Sequence, residues 1–269
     1  MKRFVIGDIH GNFKGLLEVL QVSRFDYNRD ILYALGDYVD GWPESMEVID
    51  ELMKIRNLRP CRGNHDQWAL GFMPHEIKKM TEPSSVNPHD DQAKWMERAQ
   101  WKRHGGTSTA ESYLGFEHKW YKHQEWLNEL PFYQESDDGK LFVHAGPIIQ
   151  MTLDDVMLEQ PQALIWQRQY VKDLETMIWP HHEEVYIGHT PTCTIRYIYD
   201  DGTAIKHKNN WFMDTGAAFA GKVTLMDIDT KQQFQSIPSR EAYPDHHGRN
   251  NITWNNQVAL CNTKSRTGL

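Results

Sequence analysis

Aspartate, histidine and asparagine side chains follow five short apolar runs of the sequence. The segments that carry them are Gly7–Gly11, Gly36–Gly41, Arg62–Asp66, His144–Gly146 and Gly188–Pro191. A single aspartate in such a place is most often a cap or turn residue. Residues beyond the carboxyl ends of parallel strands, however, converge on one crevice of an α/β sheet. If the five runs are strands, the sequence therefore predicts one site that gathers all of these side chains.

Such a site would offer carboxylate, imidazole and amide-oxygen ligands without thiolate, since no C-x-x-C pair occurs in the sequence. These ligands suit divalent ions of intermediate hardness. About seven or eight convergent ligands are too many for one tetrahedral ion. Two ions about 3.5–4 Å apart form a clamp for in-line displacement at phosphorus. We therefore expect two divalent metal ions as cofactors, with Mn in first place and Fe, Zn, Co or Ni as alternatives.

The first 66 residues alternate apolar strands with segments of helical period. Asn12 is a candidate N-cap for a helix whose apolar residues stand at i, i+3, i+4 and i+7 from Phe13. Pro43 and Glu44 begin a second helix. This β-α-β-α-β order predicts parallel strands joined by right-handed crossovers.

The pattern changes after residue 66. Residues from about 67 to 130 have helix-like segments and no clear strand, which indicates a helical insertion after the third strand. Later strands are separated by short turns that favour antiparallel hairpins. The predicted strands are Phe4–Ile6, Ile31–Leu35, Leu58–Cys61, Leu141–Ala145, Val185–Gly188, Thr194–Tyr199, Trp211–Asp214, Val223–Ile228 and Phe234–Ile237. The predicted fold class is α/β, with one domain over residues 1–238 and a polar, loosely held tail over residues 239–269.

Composition narrows the range of partners. The 269 residues carry 29 Lys and Arg against 37 Asp and Glu, a net charge of −8, whereas a non-specific nucleic-acid binder usually has the opposite sign. No apolar run approaches the roughly 20 residues of a membrane-spanning helix. The chain also reaches Asp8 too soon for a signal peptide. We therefore expect a cytoplasmic protein with neither a membrane nor a nucleic-acid partner.

The ordered set GDIHG, GDYVD, GNHD, HAG and GHT resembles the phosphoprotein phosphatase branch of the calcineurin-like metallophosphoesterases. Bacterial and phage members of this branch include serine/threonine phosphatases and relatives of symmetrical diadenosine tetraphosphate hydrolase. The resemblance runs from about residue 1 to residue 237 and includes Gly105–Thr107, Leu164–Trp166 and Asp214–Gly216. It implies a β-sandwich flanked by helices, which agrees with the parallel start and antiparallel finish of the chain.

The resemblance also implies a role for each residue that matches a motif. Asp8 and His10 would bind the first metal, and Asp37 would bridge both metals. The second metal would be completed by three further side chains, Asn64, His144 and His189. A metal-bridging hydroxide would attack phosphorus in line, His65 would protonate the leaving oxygen, and Asp40 would fix the orientation of His65.

One position departs from the family pattern. The usual second block reads G-D-x-V-D-R-G, and its arginine contacts the phosphate, but Gly41 stands at that place here. Arg62 and Arg168 match other positions where relatives place a phosphate-facing arginine, so we expect them to bind the anion. His104, beside Gly105, is a further candidate substrate contact.

The predicted activity is that of a metal-dependent phosphatase acting on phosphoserine or phosphothreonine in proteins or on a small phosphoester. A hydrolase of dinucleoside polyphosphates or nucleotides is the nearest alternative, favoured if Trp95 or Trp101 lines the cleft. An enzyme for nucleic-acid ends would need a basic patch at Lys102, Arg103 and His104. A catalytically silent binding module is the alternative of another class.

Overall fold

Two mixed five-stranded sheets form the centre of the computed structural model, which describes residues 1–82, 92–146, 150–168, 178–195 and 202–249. The strands of the first sheet lie in the order β10 (Gln233–Gln235), β9 (Thr224–Asp227), β1 (Arg3–Ile6), β2 (Ile31–Ala34) and β3 (Asn57–Pro60). Those of the second lie in the order β4 (Tyr133–Glu135), β5 (Lys140–Val143), β6 (Glu184–Ile187), β8 (Asn210–Phe212) and β7 (Ile205–His207). Helices pack on the outer face of each sheet through a cluster of buried apolar residues. The predicted α/β sandwich with flanking helices is thus confirmed.

The first sheet contains the predicted β-α-β-α-β unit. Its parallel strands are β1 (Arg3–Ile6), β2 (Ile31–Ala34) and β3 (Asn57–Pro60), with α1 (Phe13–Val22) and α2 (Ser45–Leu52) as the crossovers. The N-cap of α1 is Asn12, whose Oδ1 accepts a hydrogen bond from Gly15 N at 2.8 Å. The antiparallel strands β9 (Thr224–Asp227) and β10 (Gln233–Gln235) complete the sheet.

The second sheet also has three parallel strands, β5 (Lys140–Val143), β6 (Glu184–Ile187) and β8 (Asn210–Phe212). Antiparallel strands lie at its edges, β4 (Tyr133–Glu135) beside β5 and β7 (Ile205–His207) beside β8. Both edge strands were missed in the sequence, because each has two polar residues out of three and lacks a buried apolar run.

The predicted strand at Thr194–Tyr199 differs from the structure where the two can be compared. Thr192–Thr194 forms a 3₁₀ turn, in which Thr194 N donates to the carbonyl of Pro191 at 2.8 Å. Residues 196–199 lie outside the described residues. The β-branched composition of the segment suggested a strand, but Pro191 at the start of the turn sets a different local geometry.

The described residues between β3 and β4, where the helical insertion was predicted, form four helices. They are α3 (Asn64–Thr81), α4 (Gln92–Trp101), α5 (Thr107–Ser112) and α6 (Glu117–Glu129), with a kinked π-helical turn at Lys102–Gly106. Two short helices, α7 (Leu153–Glu159) and α8 (Ala163–Trp166), lie between β5 and β6. None of the helices in the described ranges has the length and apolarity needed to cross a bilayer.

Alternation along the strands creates the layers of the sandwich. Phe4 and Ile6 of β1 pack with α1 and α2, whereas Val5 packs between the two sheets. Tyr33 stacks on Phe142 across the sheets with ring centroids 3.7 Å apart. This packing fixes the two sheets against each other, so that the carboxyl ends of β1, β2, β3, β5, β6 and β8 share one edge.

The segment after Pro238 is packed against the first sheet and its helices up to the last described residue, Arg249. It contains α9 (Ser239–Ala242), and the ring of Tyr243 stacks on Trp42 at 5.3 Å. Asn12 Nδ2 also donates to Ser239 Oγ at 2.8 Å. The expectation of a loosely held tail is therefore wrong for residues 239–249, because aromatic stacking and buried hydrogen bonds hold them. Residues 250–269 lie outside the described residues.

Candidate metal centre and catalytic pair

The six side chains predicted as metal ligands meet at the shared edge of the sheets. Each follows a different strand, except that Asp8 and His10 both follow β1. His10 Nε2 lies 3.6 Å from Asp8 Oδ2 and 3.4 Å from Asp37 Oδ2. His144 Nε2 lies 3.3 Å from Asp37 Oδ1 and 3.0 Å from Asn64 Oδ1. The ring of His189 lies 4.9 Å from that of His144, so both sheets contribute to one cluster.

Asp37 stands at the centre of this cluster. Its carboxylate belongs to two groups of possible ligands, one with His10 and His65 and one with His144 and His189, whose donor atoms lie within 4.8 Å of one another. Burial alone would raise the pKa of Asp37, but the neighbouring His144 and His65 hold it well below the usual range. The carboxylate is therefore ionised and is shared by both groups.

Backbone carbonyls fix the tautomers of two histidines. His10 Nδ1 lies 2.8 Å from the carbonyl oxygen of Asp40, and His144 Nδ1 lies 2.9 Å from that of Leu35. Since a carbonyl only accepts, Nδ1 carries a proton in each ring, and Nε2 is the nitrogen that faces the cluster. A metal-binding histidine is commonly oriented by such a second contact.

A further observation supports the fit of these side chains to divalent metal ions. Both ring nitrogens of His189 are buried without a hydrogen-bond partner in the described structure. Burial of an unpaired polar nitrogen is costly, and a metal ion would satisfy it. Asp8 is held close by, because its Oδ1 accepts from the backbone N of His189 at 3.0 Å.

Several of these residues have an unusual backbone. A positive φ is uncommon outside glycine, yet His10 (52°), Asp37 (53°), Asp40 (68°) and His189 (68°) all have one. Strained backbone of this kind concentrates at functional sites, where surrounding contacts hold it in place. Here it turns successive side chains of each loop toward the same cluster.

His65 and Asp40 form a buried pair beside the cluster, with His65 Nδ1 2.8 Å from Asp40 Oδ2. Trp101 Nε1 donates to the same oxygen at 2.8 Å, and Thr109 Oγ1 donates to Oδ1 at 2.7 Å. Burial raises the pKa of Asp40 to about 8, although the bonds from Thr109 and Trp101 oppose this rise. Burial and, after it, the charge of Arg249 keep the pKa of His65 well below its ordinary value. His65 Nδ1 and Asp40 Oδ2 therefore face each other at hydrogen-bond distance in a site from which water is excluded.

Two further acids that the sequence analysis left without a role support the cluster. Asp66 accepts hydrogen bonds from the backbone N of Asp37 and of Tyr38, both at 2.9 Å, so it positions the loop after β2. Asp214 follows β8, and burial together with the nearby charge of Asp8 raises its pKa to about 7. Both belong to motifs that were recognised in the sequence, GNHD and the Asp214–Gly216 block.

The two arginines predicted to bind phosphate lie in different surroundings. Arg168 adjoins the cluster, because its Nη1 donates to the carbonyl of His189 at 3.1 Å and to Thr190 Oγ1 at 2.7 Å. Arg62 is not brought together with the cluster: its Nη2 donates to the carbonyls of Leu127 (3.2 Å) and Asn128 (2.7 Å) at the end of α6. In this structure Arg62 caps a helix end.

His104, the third predicted substrate contact, lies at the rim of the site. Its Nδ1 is 3.1 Å from Nη2 of Arg249, a residue of the C-terminal segment that the sequence analysis did not single out. Trp68 lies between His104 and His65, with ring distances of 5.5 and 5.1 Å, and its ring also meets Trp166 at 5.1 Å.

The two tryptophans considered as possible cleft residues lie elsewhere. Trp101 is fully buried and offers its N–H to Asp40, so neither ring face is open to a substrate. Trp95 is exposed and lines a separate cleft with Glu76, Arg98 and Lys102. Lys102 is paired there with Glu76 at 2.8 Å, which reduces the basic patch considered for nucleic-acid ends.

Comparison with known proteins supplies independent information. The family model described as calcineurin-like phosphoesterase matches residues 1–210 of this chain. A symmetrical bis(5'-nucleosyl)-tetraphosphatase of Coxiella burnetii is 31% identical over 105 residues, which is 38% of this chain and 35% of that protein. Serine/threonine-protein phosphatase 1 of Salmonella typhimurium is 40% identical over 67 residues, 25% of this chain and 31% of that protein. The alignments thus span about a third of the length of these curated relatives.

A solved structure has the same fold. The metallophosphoesterase from Sphaerobacter thermophilus superposes with a TM-score of 0.53 and 16% identity, covering 88% of this chain and 89% of that one. At this identity the likeness concerns the arrangement of the strands and helices alone.

Proposed function

Because the chain belongs to the calcineurin-like phosphoesterase family, we propose that it is a metal-dependent hydrolase of phosphoesters. The observation that carries the proposal is the convergence of Asp8, His10, Asp37, His144 and His189 on one buried cluster beside the His65–Asp40 pair. The unpartnered nitrogens of His189 argue against a catalytically silent module, which would have no reason to keep them buried.

The proposed metal ligands are those that the sequence predicts: Asp8, His10, Asp37, Asn64, His144 and His189. Two divalent ions would supply Lewis-acid stabilisation of the phosphoryl group and an activated water when bound. Of the other residues, Arg168 would bind phosphoryl oxygens beside His189. His65 would deliver the proton on Nε2 to the leaving oxygen, while Asp40 holds its Nδ1. Manganese as the native ion remains our proposal.

The His65–Asp40 pair favours phosphoserine and phosphothreonine as substrates. Their leaving groups are alkoxides, which depart readily only when a proton reaches the oxygen. Asp40 makes hydrogen bonds with His65, Trp101 and Thr109, so the ring of His65 is rigidly placed. A phosphate leaving group, as in a polyphosphate, is less basic than an alkoxide and depends less on protonation by His65.

A dinucleoside polyphosphate or nucleotide is the second candidate, and the aromatic surface beside the acid supports it. Trp166 is 38% exposed and meets the half-buried Trp68, which itself contacts His65. An exposed indole next to a catalytic acid could stack a nucleobase.

Turnover assays with Mn²⁺ test the proposed function. Purified chain is assayed against phosphopeptides, diadenosine tetraphosphate, nucleotides and phosphorylated oligonucleotides, and its metal content is measured in parallel. We expect bound divalent metal and the highest kcat/KM on phosphoserine or phosphothreonine peptides. A chain that binds no divalent metal and hydrolyses none of these would contradict the proposal and favour the binding module.

Trp166→Ala separates the two substrate classes. Base stacking on an aromatic side chain contributes about 1–3 kcal/mol. If a nucleotide is the substrate, KM for diadenosine tetraphosphate should therefore rise about 5- to 150-fold, whereas KM for a phosphoserine peptide should stay the same. Trp95→Ala, which removes another exposed indole away from the His65–Asp40 pair, is the matched control. An unchanged KM for diadenosine tetraphosphate would eliminate the stacking role.

A further inference from the structure

Arg249 is a buried cation that lacks an acidic partner in the described structure. The residue is 9% exposed, and its guanidinium lies over the ring of Phe219 at 5.2 Å. Nη2 contacts His104 Nδ1 at 3.1 Å, but Nε is buried without a hydrogen-bond partner. Burial lowers the pKa of this guanidinium, which reflects the cost of keeping the charge away from water. A buried cation of this kind calls for an anion.

The guanidinium lies near enough to the His65–Asp40 pair and to Asp37 for their charges to interact. The charges of Asp37 and Asp40 oppose the fall in the pKa of Arg249, and the charge of Arg249 in turn lowers the pKa of His65. The carboxylates of Asp37 and Asp40 are engaged elsewhere, by the histidines of the cluster and by Trp101 and Thr109. The guanidinium of Arg249 therefore interacts with the charges of Asp37 and Asp40 over a distance, but neither carboxylate forms an ion pair with it in the described structure.

The side chain of Arg249 lies directly in front of Gly41. Its Cγ is 3.7 Å from the point where a Cβ of residue 41 would stand. Gly41 has a φ of 146°, and a Cβ there would also approach the carbonyl oxygen of His10 to 3.0 Å. This backbone disfavours any side chain at position 41. The side chain of Arg249 is thus in van der Waals contact with the point at which a side chain of residue 41 would begin.

The residue next to Gly41 anchors the segment that brings Arg249 to the site. Trp42 is fully buried and stacks on Tyr243, and its Nε1 donates to the carbonyl of Ala217 at 2.6 Å. Gly248 approaches the same indole so closely that a Cβ would lie 2.6 Å from Trp42 Cζ2. Arg249 N then donates to the carbonyl of Ala218 at 2.9 Å. Gly41 and Trp42 therefore form one structural unit with residues 239–249.

We propose that Arg249 binds the phosphoryl group of the substrate, replacing from the C-terminal segment the arginine that position 41 lacks. The proposal rests on the proposed phosphoester hydrolase function. A planar guanidinium can donate two parallel hydrogen bonds to phosphoryl oxygens, and Nε and the outer Nη atoms are the donors that such an anion would use. His104 holds Nη2 and so positions the group.

The test uses inorganic phosphate as the probe on the metal-loaded full chain. Arg249→Ala, Arg249→Gln and Arg249→Lys are compared by the inhibition constant for phosphate, by KM for nitrophenyl phosphate and by the rise in melting temperature with phosphate. Hydrogen bonds to a charged group are worth about 1.5–3 kcal/mol, so Ala and Gln should weaken phosphate binding about 10- to 150-fold. Arg249→Lys keeps the positive charge but loses the second parallel hydrogen bond. Its phosphate affinity should therefore lie between that of the wild type and those of the Ala and Gln variants. Arg240→Ala removes an exposed arginine of the same segment and should change nothing.

A structural role and a binding role give different results. Metal content and the melting temperature without phosphate report whether the segment stays docked, and Arg249→Gln or Arg249→Lys serves if Arg249→Ala does not fold. The proposal would be overturned if the wild type, Arg249→Gln and Arg249→Lys had the same inhibition constant for phosphate and the same rise in melting temperature with phosphate. The stabilisation by phosphate needs no turnover. Failure of the hydrolase proposal, seen as absent hydrolysis by the wild type, is thus distinguishable from failure of this one.

Discussion

Asp37→Asn is expected to abolish phosphoester hydrolysis and the retention of divalent metal together. Asp37 is the one side chain common to both ligand groups, since Oδ2 faces His10 and Oδ1 faces His144. Loss of a group that merely orients a ligand costs about 10- to 100-fold in metal affinity or activity. Removing the charge of a ligand shared by two ions should therefore exceed this range. Metal content by elemental analysis and turnover of nitrophenyl phosphate are measured on the same sample.

Asp30→Asn is the matched control for this variant. Asp30 is also buried, and it accepts hydrogen bonds from the backbone N of Lys2 (2.7 Å) and of Asp26 (3.1 Å) at the opposite end of the first sheet's strands. The Asp30→Asn variant should be less stable than the wild type but should keep its divalent metal and its hydrolytic activity. Full turnover or unchanged metal content in Asp37→Asn would remove the bridging role.

The fold and the ligand cluster could be predicted because their signals are local. Each ligand stands within a few residues of the end of a short apolar strand, and parallel strands bring such ends to one edge regardless of what lies between them. This rule covers the strand ends of one sheet, whereas His144 and His189 come from the other sheet. Their assignment to the same site as Asp8 rested on the resemblance of the HAG and GHT motifs to the family. The strand β1 was predicted from a continuous apolar run, and the structure places Phe4 and Ile6 on one side of the sheet and Val5 on the other.

The partners of Asp40 could not be predicted because they depend on tertiary packing. Trp101 was considered as a possible cleft residue, but it is fully buried, and its N–H points to Asp40. The contact requires the kinked turn at Lys102–Gly106, where Gly105 has a φ of 104° and a Cβ would lie 2.5 Å from Gly41 N. The Gly105–Thr107 motif was the available signal, since a glycine pair before a helix is typical of such a close approach.

The position of Arg249 was likewise hidden by distance along the chain. The polar composition after residue 238 favoured a tail, and nothing near Tyr243 in the sequence shows that its ring meets Trp42. The departure at Gly41 and Trp42 was visible in the sequence but was interpreted as a loss of the family arginine. The structure connects that departure with the segment that packs on it.

His65→Asn is expected to slow esters with poor leaving groups and to spare those with good ones. If His65 donates the proton, its loss should lower kcat for a phosphoserine peptide by about 10²- to 10⁴-fold, roughly 3–5 kcal/mol of barrier. Nitrophenolate leaves without protonation, so nitrophenyl phosphate should be hydrolysed at nearly the wild-type rate. The backbone contact between His65 N and Asp37 Oδ1, 2.9 Å long, does not depend on the side chain and should survive.

His123→Asn distinguishes this effect from loss of any buried histidine. His123 is buried between Tyr113 and Asp50, 2.7 Å from the hydroxyl and 3.1 Å from the carboxylate, so it resembles the His65–Asp40 pair away from the metal ligands. Its replacement should affect the melting temperature and leave the ratio of the two rates unchanged.

The same experiment decides between two roles that the geometry allows for His65. Its ring nitrogen lies within 4.8 Å of ligand atoms of His10 and Asp37, so it could in principle coordinate a metal rather than carry a proton. A ligand would be needed for every substrate, and its loss would lower metal content and slow both esters alike. A proton donor is needed only where the leaving oxygen is basic. Equal losses on the two substrates, with reduced metal, would therefore contradict the proton-donor role and leave Asp40 as an orienting group for a ligand.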